Sequence, residues 1–237
     1  MNRFLGSVDR IVATSPNYLA TSEVLQLFRD KTTVIPLGLD EADYPHAEEA
    51  SKSLWRERFP RPFFLFVGVL RYYKGLRTLL AAARSSNFDI VIVGDGPMRS
   101  QLMDYVREHS LAHVHFAGAL PDSDKTALLE LSTGLVFPSN LRSEAFGLSL
   151  VEASMFGKPM ISCEIGTGTS YVNQNGQTGI VVPPQDPEAL SEAMQAIAND
   201  EELSRTFGSN ARKRYVEYFT ADKMALEYVK NYTSLAR

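Results

Sequence analysis

Residues 138–157 read PSNLRSEAFGLSLVEASMFG, and the fold is decided by how this stretch is read. It closes a short apolar run over 134–138, crosses a polar loop, and enters a helix near Phe146 to Leu148, with Gly157 and then Pro159 marking the end. Leu148, Val151 and Met155 follow a three-four spacing, which predicts the face packed on the rest of the domain. Glu152 stands one turn after Leu148 and so falls inside that face. Burying its charge is expensive even after relaxation, so it needs either a protein partner or a ligand. Glu144 lies eight residues earlier, ahead of the first helical turn, where free backbone N–H groups favour an anion. Two carboxylates, one beside an anion site and one facing inward, suit a ligand that carries both phosphates and hydroxyls. Each hydroxyl-to-carboxylate hydrogen bond would contribute roughly 1.5–3 kcal/mol. The competing reading is a solvated Glu144, with Glu152 paired to a buried arginine or to backbone donors.

Outward from this stretch, strands and helices alternate with short turns. Strands are predicted over 63–67, 90–93, 113–116, 135–137, 160–163 and 179–182. Helices are predicted over 75–85, 98–109, 123–132 and 146–156, with a short one near Ser170. The pattern predicts an α/β fold with a doubly wound parallel, Rossmann-like sheet, whose ligands sit at the carboxyl ends of strands. Asp186 and Pro187 open a helix over 188–199, residues 201–218 form one or two more, and Thr220 caps a last one to about Ser234. Ahead of the sheet, a strand over 8–14, a helix over 17–29 and a strand over 33–36 make a single βαβ unit. Residues 41–61 read as a polar connector with a short helix over 54–59.

Composition excludes several functions. The 237 residues carry a net charge of −4, so the basic footprint of a nucleic-acid binder is missing, and any phosphate must be held locally. Cys163 is the only cysteine, which rules out an internal disulfide and multi-cysteine metal sites and fits a reducing cytoplasm. His46, His109, His113 and His115 do not form a ligand set at metal spacing, and no metal is expected. No apolar run approaches the roughly 20 residues that span a bilayer.

Local motifs gather at strand ends. Gly68 ends the first strand of the sheet, Arg71 and Lys74 follow in its loop, and Gly75 opens the next helix. Two cations beside a helix N-terminus can neutralise a diphosphate; the bland alternative is a surface turn. Gly94-Asp95-Gly96-Pro97 turns the second strand into a helix, but Arg99 occupies the third glycine position of a dinucleotide fingerprint, which disfavours a dehydrogenase. Residues 166–170, GTGTS, read either as an anion nest or as a left-handed turn with hydroxyl caps.

The run SEAFGLSLVEA carries the E-x7-E signature in Glu144 and Glu152, and it resembles the retaining glycosyltransferases of family 4, which have the GT-B fold. FVGVLRYYKGL (66–76), VGDGPMRSQL (93–102), HVHFAGALPD (113–122) and NGQTGIVVPPQDPEAL (175–190) agree in order, so the resemblance covers about residues 34–215. It implies that Glu144, Lys74 and Arg71 are catalytic. Glu144 would meet the donor sugar's hydroxyls, Glu152 the ribose hydroxyls, and the amides of Phe146, Gly147 and Leu148 the sugar or distal phosphate. Gly68, Gly94 and Gly96 would shape the nucleotide cradle, Ala119 and Leu120 would read the base, and Ser139 and Arg142 would line the approach. The family's phosphate-binding arginine directly follows the glycine; here Val69 stands there, and Arg71 is expected to substitute.

The resemblance implies the donor-binding half of a hexosyltransferase that uses no separate cofactor. Its partners would be a nucleotide-sugar donor and a glycan or lipid-linked acceptor of surface polysaccharide, with no nucleic acid. The stretch GTGTSYVNQNGQTG is similar to bacterial O-antigen mannosyltransferases of this family, which favours GDP-mannose over a UDP-hexose. Residues 1–40 are expected to be a remnant of an N-terminal acceptor domain and hinge, 41–61 the connector, 62–218 the donor domain and 219–237 a crossing helix. The expected setting is the cytoplasm, with peripheral contact at the inner face of the membrane, an N-terminal-domain partner, and little turnover by this chain alone. The rival expectations are a non-catalytic nucleotide-sugar-binding fragment and a nucleotide-sugar epimerase.

Overall fold

The computed structural model of the chain describes residues 2–236. Helix α1 (Asn2–Ser7) leads into β1 (Ile11–Ala13), α2 (Pro16–Thr21), α3 (Glu23–Gln26) and β2 (Thr32–Val34). β1 and β2 pair in parallel as a two-stranded sheet, with Ile11 opposite Thr32. The single helix expected over 17–29 is broken. Ser22 takes an extended backbone and its hydroxyl accepts from Leu25 N, so the residue ends one helix and caps the next.

α4 (Glu49–Arg58) is longer than the short helix expected in the connector, because it has a partner to pack on: Ser51 Oγ and Trp55 Nε1 both donate to Asp124 Oδ1. The alternation then runs β3 (Phe63–Val67), α5 (Leu76–Ala83), β4 (Asp89–Val93), α6 (Arg99–Glu108), β5 (Val114–Gly118), α7 (Asp122–Leu131), β6 (Gly134–Phe137), α8 (Leu148–Met155), β7 (Met160–Cys163), α9 (Thr169–Val172) and β8 (Gly179–Val182). α10 (Pro187–Asn199), α11 (Glu201–Tyr218) and α12 (Ala221–Leu235) complete the described chain. Side chains of Asp186, Asp200 and Thr220 cap these three helices, as their residue types predict. The region 201–218 is one helix.

β3 to β8 form one parallel sheet in the order β5-β4-β3-β6-β7-β8. β3 shows why its sequence is a continuous apolar run, FFLFV. Phe63, Leu65 and Val67 pack under α7 and α8, Phe64 and Phe66 pack under α5, and every one of the five is buried. Parallel strands covered on both faces have no polar side to present. Each such side chain contributes roughly 1.5–3 kcal/mol by leaving water. The strand order reverses between β3 and β6, which opens a crevice at their carboxyl ends, where open α/β sheets bind ligands.

One packing expectation is corrected. Leu148 does not face the core; it is 46% exposed at the first turn of α8, and Leu150, Val151, Ala153 and Met155 form the buried set. The helix starts two residues later than predicted, after a left-handed Gly147, so Leu148 is its first residue and stands at the exposed end of the face that buries Val151, Glu152 and Met155.

Candidate functional site

Three loops build the mouth of the crevice, and backbone contacts tie them together. After β3, Leu70 N donates to Asp95 O and Met98 N donates to Leu70 O, so the 68–71 loop is stapled to the 94–98 loop. Gly94 and Gly96 permit this: a Cβ on Gly94 would collide with Gly68 O, and one on Gly96 would crowd the backbone of Leu70. A third tie joins β6, where Asn140 N donates to Tyr73 O over 3.0 Å. Gly75 sits in the left-handed region at φ 68°, and a Cβ there would strike Pro138 O. Ser149 Oγ donates to Val67 O, which seats the N-terminus of α8 at the end of β3.

Lys74 and Glu144 meet in this mouth. Lys74 Nζ donates to Glu144 Oε2 at 2.5 Å, and Ser139 Oγ donates to the same oxygen at 3.2 Å. Both charged side chains are only 12% exposed, and Lys74 Nζ lies 4.8 Å above the Phe137 ring. Arg71 is exposed on the same loop, one turn before Lys74, and Val69 beside it is 50% exposed. Of the cations expected to bind phosphate, the fold buries Lys74 at the crevice and leaves Arg71 at its rim.

Glu152 is 8% exposed on α8 and has protein partners, as its position requires. They are neither arginine nor backbone. Tyr44 Oη donates to Glu152 Oε1 at 2.8 Å, and Lys125 Nζ donates to the same oxygen at 2.9 Å while also reaching Asp122. Burial and the neighbouring carboxylate push the Tyr44 hydroxyl far above its usual range, so it stays a donor. Burial would lower Lys125, but its hydrogen bonds and charge contacts with Glu152 and Asp122 outweigh that and its pKa rises. Both carboxylates share one pattern: one oxygen takes two donors, the other has no protein donor among the described residues, and the side chain keeps about a tenth of its surface exposed. An open carboxylate oxygen accepts from hydroxyls, the chemistry of a sugar or a ribose.

The remaining predicted residues are distributed around these two. Phe146 is buried with its ring 6.1 Å from Phe219, so only its backbone can serve a ligand, and Gly147 and Leu148 follow it into α8. Gly118 O accepts from Gly94 N, which brings the Ala119–Leu120 loop beside the glycine turn; Ala119 is exposed and Leu120 half-buried. A hollow of about 710 Å³, lined in part by Tyr18, Thr21, Arg142 and Ala145, adjoins the Glu144 loop, and one of about 370 Å³ adjoins Tyr44 and Lys125.

Arg142 and the 166–170 segment join the crevice to the first unit of the chain. Arg142, expected to line the approach, donates to Thr21 Oγ1 and Gly166 O and stacks on Tyr18 at 5.2 Å, tying α2 to the crevice loop. The 166–170 segment takes the second of its two readings, a left-handed turn at Gly166 (φ 67°) with hydroxyl contacts. Gly166 N and Ser170 Oγ both donate to Glu164 Oε1, and Gly168 N donates to Ala145 O, so the turn is satisfied internally. Tyr44 and Lys125 were not visible in the sequence as site residues. They lie 108 and 27 positions from Glu152, and no spacing rule connects them.

Comparison with known proteins agrees with this architecture. Residues 48–214 match the family model described as glycosyl transferases group 1. The chain is 51% identical over 233 residues to O-antigen chain mannosyltransferase C of Escherichia coli, covering 98% of this chain and 62% of that protein. It is 53% identical over 221 residues to D-rhamnosyltransferase WbpZ of Pseudomonas aeruginosa, covering 93% and 58%. The chain thus spans about 60% of the length of these curated relatives. Among solved structures, sucrose-phosphate synthase from Thermosynechococcus elongatus superposes with a TM-score of 0.84 at 28% identity, over 99% of this chain and 60% of that one. Anabaena HepE in complex with UDP and glucose superposes with a TM-score of 0.81 at 21% identity, over 96% and 63%. Its sheet is that of GT-B glycosyltransferases, one of these relatives is named for the O-antigen chain, and the chain belongs to the glycosyl transferases group 1.

Proposed function

We propose that this chain is the donor-binding part of a retaining glycosyltransferase that moves a hexose from a nucleoside diphosphate sugar to a glycan or lipid-linked acceptor of surface polysaccharide. The observation that carries the reading is a pair of carboxylates that each leave one oxygen without a protein donor, Glu144 beside Lys74 in the crevice and Glu152 on α8. In this reading Glu152 takes the ribose hydroxyls and Glu144 the sugar hydroxyls. Lys74, drawn from Glu144, meets the diphosphate together with the amides at the start of α8, and Arg71 folds in from the rim. The bond from C1 to the phosphate oxygen breaks and its electron pair leaves with the nucleoside diphosphate. The acceptor hydroxyl adds to C1 from the same face, and its proton passes to the departing phosphate oxygen, so configuration is retained. Local cations suffice to hold the leaving charge, and no protein-bound metal is invoked.

The relatives support a sugar of manno configuration, since one is named for mannose and the other for D-rhamnose, its 6-deoxy form. We favour guanosine as the nucleoside, cytoplasmic reaction at the inner membrane face, and turnover that requires more of the protein than these residues. Calorimetric titration with GDP, UDP and ADP tests the reading. Binding of one nucleoside diphosphate, weakened roughly ten- to hundred-fold by Lys74→Met, is the expected result for a lost charged contact. No binding of any of the three would overturn it. Robust sugar transfer by the 237-residue chain would overturn the requirement for a larger protein.

A further inference from the structure

Glu152 is the most expensive side chain in the buried face of α8, and its surroundings are arranged asymmetrically. Tyr44 comes from the segment that joins the two sheets, and Lys125 from α7, yet both converge on Oε1 at 2.8 and 2.9 Å. Lys125 is further fixed by Asp122 at 2.9 Å and by the face of the Tyr44 ring at 5.2 Å, and that ring packs edge-on against Phe156. No donor among the described residues reaches Oε2. A buried ion pair replaced by apolar side chains is often neutral or stabilising, so stability alone is a weak reason for this arrangement. Holding a carboxylate by one oxygen and one only has a geometric consequence: the other oxygen points in a set direction with its lone pairs unused.

We propose that Tyr44 and Lys125 are positioning residues that lock Glu152 through Oε1 and so present Oε2 to a vicinal diol, making them the source of a preference for ribonucleotides over deoxyribonucleotides. The inference rests on the nucleotide reading of the crevice and adds to it the residues that orient its ribose contact. Neither touches the reacting atoms. Their effect is on which sugar of the nucleotide is accepted.

The test is calorimetry on the full chain with GDP and UDP, each beside its 2′-deoxy counterpart, for the unaltered protein, Tyr44→Phe and Lys125→Met. The unaltered protein should favour the ribonucleotide about tenfold or more, the worth of one hydroxyl-to-carboxylate hydrogen bond. Both variants should bring that ratio to within about twofold by weakening the ribonucleotide while the deoxynucleotide is unaffected. Parallel loss of both affinities, or an unchanged ratio, would show a merely structural role and overturn the proposal. Equal binding of both nucleotides by the unaltered protein would overturn it together with the ribose role of Glu152, and leave nucleotide binding at the crevice standing. Failure of the unaltered protein to bind either base removes both. Tyr44→Phe keeps the ring contacts, so the question stays answerable if Lys125→Met does not fold.

Discussion

At the scale of single residues, the site depends as much on atoms that are missing as on those present. Gly75 is the sharpest case. Its φ of 68° suits a residue without Cβ, and a Cβ would overlap Pro138 O, so two loops approach there through bare backbone. Gly75→Ala should therefore destabilise the fold by at least about 1–2 kcal/mol from the left-handed backbone alone, with the clash adding to it. Urea denaturation checks this, and an unchanged midpoint would contradict the packing described. The charged residues obey a related economy. Lys74 and Glu144 neutralise one another at 2.5 Å across the crevice, which lets both be largely buried before any ligand arrives. A ligand with phosphates and hydroxyls can then replace that pair without leaving either charge alone.

At the scale of elements, the helices and strands of the crevice are held at their ends. α8 begins just after Gly147, is seated by Ser149 on β3, and gives way to β7 through Gly157 and Pro159. β7 carries Cys163, 1% exposed, whose thiol is pushed by burial from its ordinary 9.0 up to about 12. A raised folded-state pKa means that the unfolded chain loses its proton first. The stability contributed is full below pH 9 and declines as pH rises toward 12. By pH 10 the loss amounts to about 1.4 kcal/mol. Cys163→Ala should remove that slope, so the unaltered protein should lose more stability than the variant between pH 8 and 10. Parallel losses in thermal or urea denaturation would count against the burial described.

At the scale of the whole molecule, two sheets are tied by a few polar contacts and by backbone pairing. The Leu39 segment docks on the corner between α11 and α12: Leu39 N donates to Phe219 O, Ala221 N donates to Leu39 O, and Tyr215 Oη donates to Leu39 O. On the other side, Arg142 and Thr21 join α2 to the loops at 142 and 166, with Asn17 Nδ2 donating to Ser170 Oγ at 2.9 Å. The Arg142 contacts are exposed, so each contributes on the order of 1 kcal/mol or less. Arg142→Ala should speed amide hydrogen exchange across residues 14–34 and leave the six-stranded sheet as protected as before. Equal exchange in both proteins would show that Arg142 does not join the two units.

The order of strands and helices, the apolar stripe of β3 and the E-x7-E spacing of Glu144 and Glu152 were legible in the sequence, because periodicity and capping are local and are written in neighbouring residues. The length of α4 was not, because it depends on Asp124 far along the chain, and the break at Ser22 and the exposure of Leu148 turn on local choices that periodicity leaves open: Ser22 capping a new helix and Gly147 delaying the start of α8. The same holds for the candidate site. Sequence by itself placed Lys74 and Glu144 on the loops of two strands and made Glu152 an inward charge in need of partners. Only the tertiary structure decided that β3 and β6 are neighbours, that Lys74 meets Glu144, and that Tyr44 and Lys125 hold one oxygen of Glu152 and leave the other open. Spacing along a chain specifies faces and turns, whereas contacts across 27, 70 or 108 residues arise only when a sheet brings its strand ends together.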